Sequence, residues 1–298
     1  MSYQSVVLVG ASGNLGKLMI PIFLHSGLKV TALIRKTSEA TFPDGIDVVK
    51  TDFDLESLTK ILQGKDAVVS LLPIVSLASQ AVVVEAAIAA GVERFIPSEY
   101  GSDSTNPAVV AAVPFFEAKK KYLDYLKTKE DVISWTALIT GPFFDWGLPM
   151  GVWGFDMAHK KVQLIDGGKT KFTATNGAQI GRALIAILAN PAKTANKLVS
   201  VESFTTTQLE ILDAFERATG SKWGRAEVPA DVLRADAVKL LSDGDLHNGG
   251  TKLICALFFG KEGLGDHTYL DTAKWNRELD LPVETVEETV RQTLADVV

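Results

Sequence analysis

The chain holds few of the residues that mark a disulfide scaffold, a membrane span or a nucleic-acid surface. One cysteine, Cys255, stands among 298 residues. No intrachain disulfide can form, which suits a reducing compartment. Charged residues interrupt every long apolar run, so none reaches the ~20 residues of a membrane helix. Lys and Arg number 30 against 36 Asp and Glu, for a net charge of −6. The only basic triple is Lys119-Lys120-Lys121. That balance argues against nucleic acid or an anionic membrane as a partner. The four histidines, His25, His159, His247 and His267, are scattered with no ligand spacing, and no metal is expected. No G-x-S-x-G nucleophile motif, internal repeat, low-complexity segment or leader-like start appears. The expectation is a soluble, cytoplasmic globular protein, monomer or homodimer, whose partner is a small molecule.

What is present is a rhythm. Apolar runs at 5–10, 29–35, 47–50, 66–72, 94–98 and 134–140 read as strands, continuous rather than alternating, as strands buried on both faces should be. Helical patterns at 15–26, 54–63, 76–90 and 114–128 separate them. Strand and helix alternating this way predict a doubly wound parallel α/β sheet of Rossmann type. After about residue 145 the rhythm loosens. Helices are expected at 177–191 and 205–220, loop at 243–266, and a last helix at the end of the chain. The expected division is a Rossmann domain over 1–150, to which 170–195 returns, and a smaller C-terminal lobe mainly over 151–298.

The stretch "VVLVGASGNLGKLMI" (6–20) joins the first strand to the first helix through Gly10, Gly13 and Gly16. The spacing is G-x-x-G-x-x-G rather than the ordinary G-x-G-x-x-G. In such a turn the backbone of Gly10, Ser12, Gly13, Asn14, Leu15 and Gly16 approaches a pyrophosphate, and the helix N-terminus offers free N–H groups and partial positive charge. A carboxylate ending the second strand would bind the ribose 2′-OH of NAD. Arg35 and Lys36 stand there instead, and their charges suit a 2′-phosphate, which points to NADP(H). Asp52 and Phe53 follow the third strand, where the adenine would lie. A structural turn with an exposed basic pair is the competing reading.

In "PFFEAKKKYLDYLK" (114–127), a projection at 100° per residue gathers Phe115, Ala118, Tyr122, Leu123 and Leu126 on one side, with Phe116 at its edge. Lys119 falls inside this apolar stripe. Burying an ammonium is costly, so Lys119 is expected either to snorkel, to pair, or to face the cleft and take part in proton transfer. Phe115, four residues before it, occupies the place of the tyrosine in the Y-x-x-x-K pair of ordinary short-chain dehydrogenases, so the phenol relay of those enzymes is absent.

Taken together, "GASGNLGK", the Arg-Lys pair, "RFIPSEYGSD" (94–103), "FEAKKK" (116–121) and "TATNGAQIGRALIAIL" resemble the isoflavone-reductase-like and NmrA-like proteins. These are atypical short-chain dehydrogenases of secondary metabolism that include phenylcoumaran benzylic ether and pinoresinol–lariciresinol reductases. The resemblance covers most of the first 190 residues. It implies an NADPH-binding Rossmann domain with a small substrate domain, and it matches the family's active-site lysine to Lys119. It also implies that Leu72, Pro73 and Ile74 line the cofactor, and it places Ser98, Glu99 and Tyr100 near the reacting ring. Plant members usually carry Phe where Tyr100 stands, so Tyr100 is a candidate second proton donor.

Phe143, Phe144, Trp146, Trp153 and Phe155 follow the sixth strand and are candidates for an aromatic substrate pocket, with His159 at its edge; core packing is the alternative for each. The leading expectation is an NADPH-dependent reductase of an aromatic or conjugated small molecule. Two others stand beside it: a non-catalytic NmrA-like redox sensor, and a redox-neutral enzyme on the same scaffold.

Overall fold

A computed structural model describes residues 3–297 of the chain. The first half alternates β1 (Ser5–Val9), α1 (Asn14–Leu24), β2 (Lys29–Arg35), β3 (Ile46–Thr51), α2 (Leu55–Leu62), β4 (Ala67–Ser70), α3 (Gln80–Ala89), β5 (Arg94–Ile96), α4 (Pro107–Ala112), α5 (Glu117–Lys127) and β6 (Ser134–Ile139). All six strands of the pattern lie in one parallel sheet, as expected. Successive side chains of β1 alternate between its faces. Val6 and Leu8 pack with Met19 and Phe23 of α1, whereas Val7 and Val9 pack with residues of α2, α3 and α5.

The second half contains α6 (Phe144–Gly147), β7 (Phe155–Asp156), β8 (Lys161–Ile165), β9 (Phe172–Ala174), α7 (Gly177–Ala189), α8 (Pro191–Thr194), β10 (Lys197–Ser200), β11 (Phe204–Thr206), α9 (Gln208–Thr219), β12 (Gly224–Val228), α10 (Ala230–Ser242), α11 (Leu246–Phe259), α12 (Thr272–Glu278) and α13 (Val286–Val297). α7 returns to the sheet and lies against α1, where Gly177 meets Leu18 and Gly181 meets Ile22. β10 then adds a seventh parallel strand beside β6, giving the order β10-β6-β5-β4-β1-β2-β3. The order in which strands are added reverses between β1 and β4, which is where a doubly wound fold opens its ligand crevice. Pro21 occupies an exposed position of α1, and the helix continues past it to Leu24.

Three details differ from the sequence reading. β10 was not foreseen, because four residues after a proline-led turn give too little pattern. β3 is half exposed rather than buried throughout, since it is an edge strand. The stretch 243–266 is not loop: α11 fills most of it, started by Asp245, whose carboxylate accepts from the N–H of Asn248 at 3.1 Å. Its glycines serve packing instead of breaking the helix. A Cβ on Gly249 would lie 2.7 Å from Leu241 of α10.

Two small sheets, β12-β8-β7 and β11-β9, complete the C-terminal half. Phe144, Trp153, Phe155, Phe172, Phe215, Trp223 and Phe259 build its own apolar core. Residues 1, 2 and 298 of the expected lobes lie outside the described residues.

Candidate active site

The glycine turn forms as its spacing predicts, and two of its glycines have structural reasons to be there. Gly10 takes φ +84°, and a Cβ on it would come within 2.9 Å of the Leu71 carbonyl. A Cβ on Gly16 would collide with the backbone of Ala11. Gly13 is the N-cap of α1 and brings no side chain to it. The first-turn N–H groups of α1 therefore have neither an intrahelical nor a side-chain acceptor, which fits an anionic group such as a pyrophosphate. At the end of β2, Arg35 is exposed. Lys36 forms an ion pair with Asp52, so part of its charge is already answered across to the residues after β3. Phe53 follows in the left-handed region at φ +62°, partly buried against the core.

The next two strands bring the remaining residues together. The Ser98 hydroxyl donates to the Leu72 carbonyl at 2.6 Å, and its N–H donates to Oε1 of Gln80 at 2.9 Å. This ties the segment after β5 to the segment after β4, which already lies against Gly10. Gln80 was missed by the sequence reading; a buried glutamine starting a helix has no pattern of its own.

Lys119 reaches this loop from α5. It is 8% exposed, and its Nζ donates to the carbonyls of Glu99 at 2.6 Å and Tyr100 at 3.2 Å. The Phe116 ring lies 5.2 Å from the same nitrogen. The burial anticipated from the helical projection is present, but the stripe is Phe116, Lys119, Leu123 and Leu126, and Ala118 is exposed. Phe116 rather than Phe115 joins the stripe because Pro114–Phe116 form a tight 3-10 turn and α5 begins only at Glu117, which shifts the register of these residues against the helix. Phe115 turns away toward Gly250 of α11.

Electrostatically, this is the most perturbed part of the molecule. Burial lowers the Lys119 ammonium, while the Glu99 carboxylate works to raise it. Burial pushes the Glu99 carboxyl up to about 7 against the pull of Lys119. Oε2 of Glu99 accepts from the Ser104 hydroxyl at 2.7 Å, and Oε1 has no partner. What Lys119 touches of Tyr100 is its carbonyl. The phenol belongs to the core on the α1 and α7 side of the sheet, its hydroxyl unpartnered and its ionisation strongly suppressed by burial.

The aromatic candidates scatter. Phe144 and Trp153 belong to the C-terminal core, and Trp153 Nε1 donates to the Phe144 carbonyl at 3.1 Å. Phe143 packs at the margin of the first core. Trp146 lines a separate cavity of about 440 Å³ with Asp145, Asn176, Glu284 and residues of α13. His159 lies in the turn between β7 and β8, its side chain 71% exposed and Nδ1 hydrogen-bonded to Asp156 at 2.8 Å. The histidine that composition did not single out is His267. It is fully buried, neither ring nitrogen has a partner, and burial pulls it down to about 4. Its neighbour in sequence, Tyr269, donates to Oδ2 of Asp103 at 2.9 Å, which lays this C-terminal segment on the loop after β5.

The chain belongs to the NmrA-like family, whose model matches residues 2–243. The oxidoreductase aprR of Aspergillus flavus is 31% identical over 295 residues, covering 97% of this chain and 98% of that one. The oxidoreductase poxI of Penicillium oxalicum is 34% identical over 78% of this chain and 74% of its own length. Among solved structures, AtPrR2 with NADP+ and (+)-pinoresinol superposes with a TM-score of 0.80 at 22% identity, covering 98% of this chain and 99% of that one. A crystal structure of isoflavone reductase gives 0.78 at 20% over the same shares. The fold is therefore that of the isoflavone reductases. Among the described residues, no helix is long and apolar enough to cross a membrane.

Proposed function

We propose that this chain is an NADPH-dependent reductase acting on an aromatic or conjugated small molecule, with 1–150 and the returning 170–195 as cofactor domain and 151–298 mainly as substrate lobe. The observation that carries this reading is the buried Lys119 amine, fixed by two carbonyls at the carboxyl edge of the sheet and linked through Ser98 and Leu72 to the glycine turn. The full-length relationship to aprR and the NADP+ and pinoresinol bound by AtPrR2 support it.

In this reading the N-terminus of α1, over Gly10, Ser12, Gly13, Asn14, Leu15 and Gly16, holds the pyrophosphate. Arg35 and Lys36 take the 2′-phosphate, Asp52 and Phe53 flank the adenine, and Leu72, Pro73 and Ser98 line the nicotinamide side. When bound, NADPH supplies a hydride from C4 of its nicotinamide. Lys119 has three N–H groups, and two are spent on carbonyls. The third is free to orient the ribose or to protonate an oxygen on which charge develops. Tyr100, kept protonated by burial, is the second donor. Phe143, Trp146 and His159 are the proposed substrate-lobe contacts, with Phe143 against the core of the first half, while Phe144 and Trp153 fill the core of the lobe itself.

Calorimetric titration with NADPH and NADH, followed by NADPH oxidation against quinones, enones and benzylic ethers, tests the reading. Tighter binding of the 2′-phosphorylated cofactor and turnover of at least one aromatic acceptor are expected. Equal affinities would remove the role of Arg35 and Lys36. No oxidation across the panel would remove the reductase.

A further inference from the structure

We propose that Glu99 is a positioning residue for Lys119, its buried carboxylate being the countercharge that keeps the Lys119 amine an ammonium at the carboxyl edge of the sheet. The inference deepens the reading of Lys119 as proton donor and rests on it. Two features of the geometry lead to it. First, every polar contact of Lys119 Nζ is to a backbone carbonyl, of Glu99 and of Tyr100, with the Phe116 ring beside it. Carbonyl dipoles and an aromatic face favour a cation, yet they are partial charges set against the full cost of burying an ammonium. Second, the residue whose carbonyl grips Nζ also carries a buried carboxyl, which makes no ion-pair contact with the amine and acts on it through space. Glu99 is 1% exposed, with a single donor, Ser104, on Oε2 and none on Oε1. A carboxylate so poorly solvated is tolerable only beside a cation.

The charged groups that face this pair are few. Glu99 feels Lys119 and, more weakly, Lys127 from α5, and Asp103 from its own loop, which opposes its ionisation. Lys119 feels Glu99. Each member therefore sets the other's proton affinity, and they titrate as a unit. Above the titration of Glu99, near neutrality, both members are charged and Lys119 has a proton to give. Below it, Glu99 is neutral and the ammonium stands without its countercharge. When Lys119 protonates a developing oxyanion, the O–H bond forms as the N–H bond breaks and neutral amine remains; solvent returns the proton after product leaves.

Glu99→Gln separates charge from shape, because its amide oxygen still accepts from Ser104. The first readout needs no turnover: carbon NMR of lysine-labelled protein, with the Lys119 signal identified by its absence in Lys119→Met. Removing the carboxylate should lower the Lys119 titration midpoint by about one pH unit or more. The alkaline limb of kcat/KM should move with it, while the NADPH dissociation constant stays within about twofold. A merely structural Glu99 would lower thermal stability and leave the midpoint in place, which overturns the inference. If Glu99→Gln does not fold, the parent protein supplies the test: the Lys119 carbon signal should show a step as Glu99 titrates at about 7, and a signal flat through that range overturns the inference as well. A shifted midpoint in a protein that oxidises no NADPH would sustain the Glu99–Lys119 coupling and reject the reductase.

Discussion

The two edges of the central sheet treat buried polar groups in opposite ways. At the amino edge, Arg94 opens β5 at 1% exposure and is fully answered. Its Nε donates to Ser134 at 2.8 Å, Nη1 to Thr194 at 3.2 Å and to Thr136, and Nη2 to the Pro191 carbonyl at 2.7 Å. Asp66, before β4, accepts from the N–H groups of Gln4 at 2.7 Å and Ser5 at 2.8 Å and from the Ser5 hydroxyl at 3.0 Å. At the carboxyl edge the strands end in atoms with no partner: Ser70 Oγ of β4, Ser200 Oγ of β10, and Glu99 Oε1, Tyr100 OH and Ser102 Oγ after β5. Among the described residues these are five of the eight buried side-chain atoms left unpaired. An unpaired buried polar group costs about 1–3 kcal/mol. A chain that satisfies one edge and leaves the other wanting has put stability at the first and chemistry at the second.

That division is easiest to break with the two buried cations. Lys119→Met should cut turnover by about 10²- to 10⁴-fold, measured as NADPH oxidation at saturating acceptor, because a positioned proton donor is worth that much. Its melting temperature should fall modestly at pH 8, where the buried Glu99 carboxylate loses its countercharge, and hold at pH 6, where Glu99 can take up a proton. Arg94→Met should do the reverse. It strands the acceptors of Thr136, Thr194 and Pro191 and should lower unfolding free energy by about 3 kcal/mol in a urea titration, with kcat unchanged per folded molecule. An unfolded Lys119→Met, or a folded but inactive Arg94→Met, would mean the edges are not separate in role.

Legibility in the sequence follows the same line. The parallel sheet and the glycine turn could be read because burial on both faces and a strand-to-helix connection leave local signatures. Lys119 could be read because a cation in an apolar stripe is an inconsistency visible within one helix. Gln80 and His267 could not, since each is defined by what packs over it from a distant segment, and Glu99 could be placed near the site but not matched to Lys119. The expectation that Phe144 and Trp153 line a pocket fails for a related reason. Phe144 and Trp153 look the same in sequence whether they line a pocket or fill a core, and they fill the core of the C-terminal half. In α11, Gly249 suggested a loop where close approach to α10 was the actual demand.

The smallest expected effect sharpens the contrast through pH. Burial works to raise the Asp66 carboxyl, but the hydrogen bonds from Gln4 and Ser5 and the charge of Lys65 outweigh it, so Asp66 lies below its ordinary value of 3.8. A carboxyl lowered on folding stabilises the folded state in full above its unfolded value and loses that contribution as pH falls through the folded one. Asp66→Asn should therefore cost about 1 kcal/mol at pH 7. The gap from the parent protein should stay flat from pH 8 to pH 5 and close below pH 4, as read from urea midpoints. The Glu99 carboxyl is pushed up to about 7, so activity at the carboxyl edge should change between pH 6 and 8 while stability at the amino edge does not. Asp66→Asn should leave that activity profile where it is. A gap that failed to narrow by pH 3 would show that the Asp66 charge does not clamp β1 to β4, and the amino edge would then owe its stability to Arg94 and apolar packing alone.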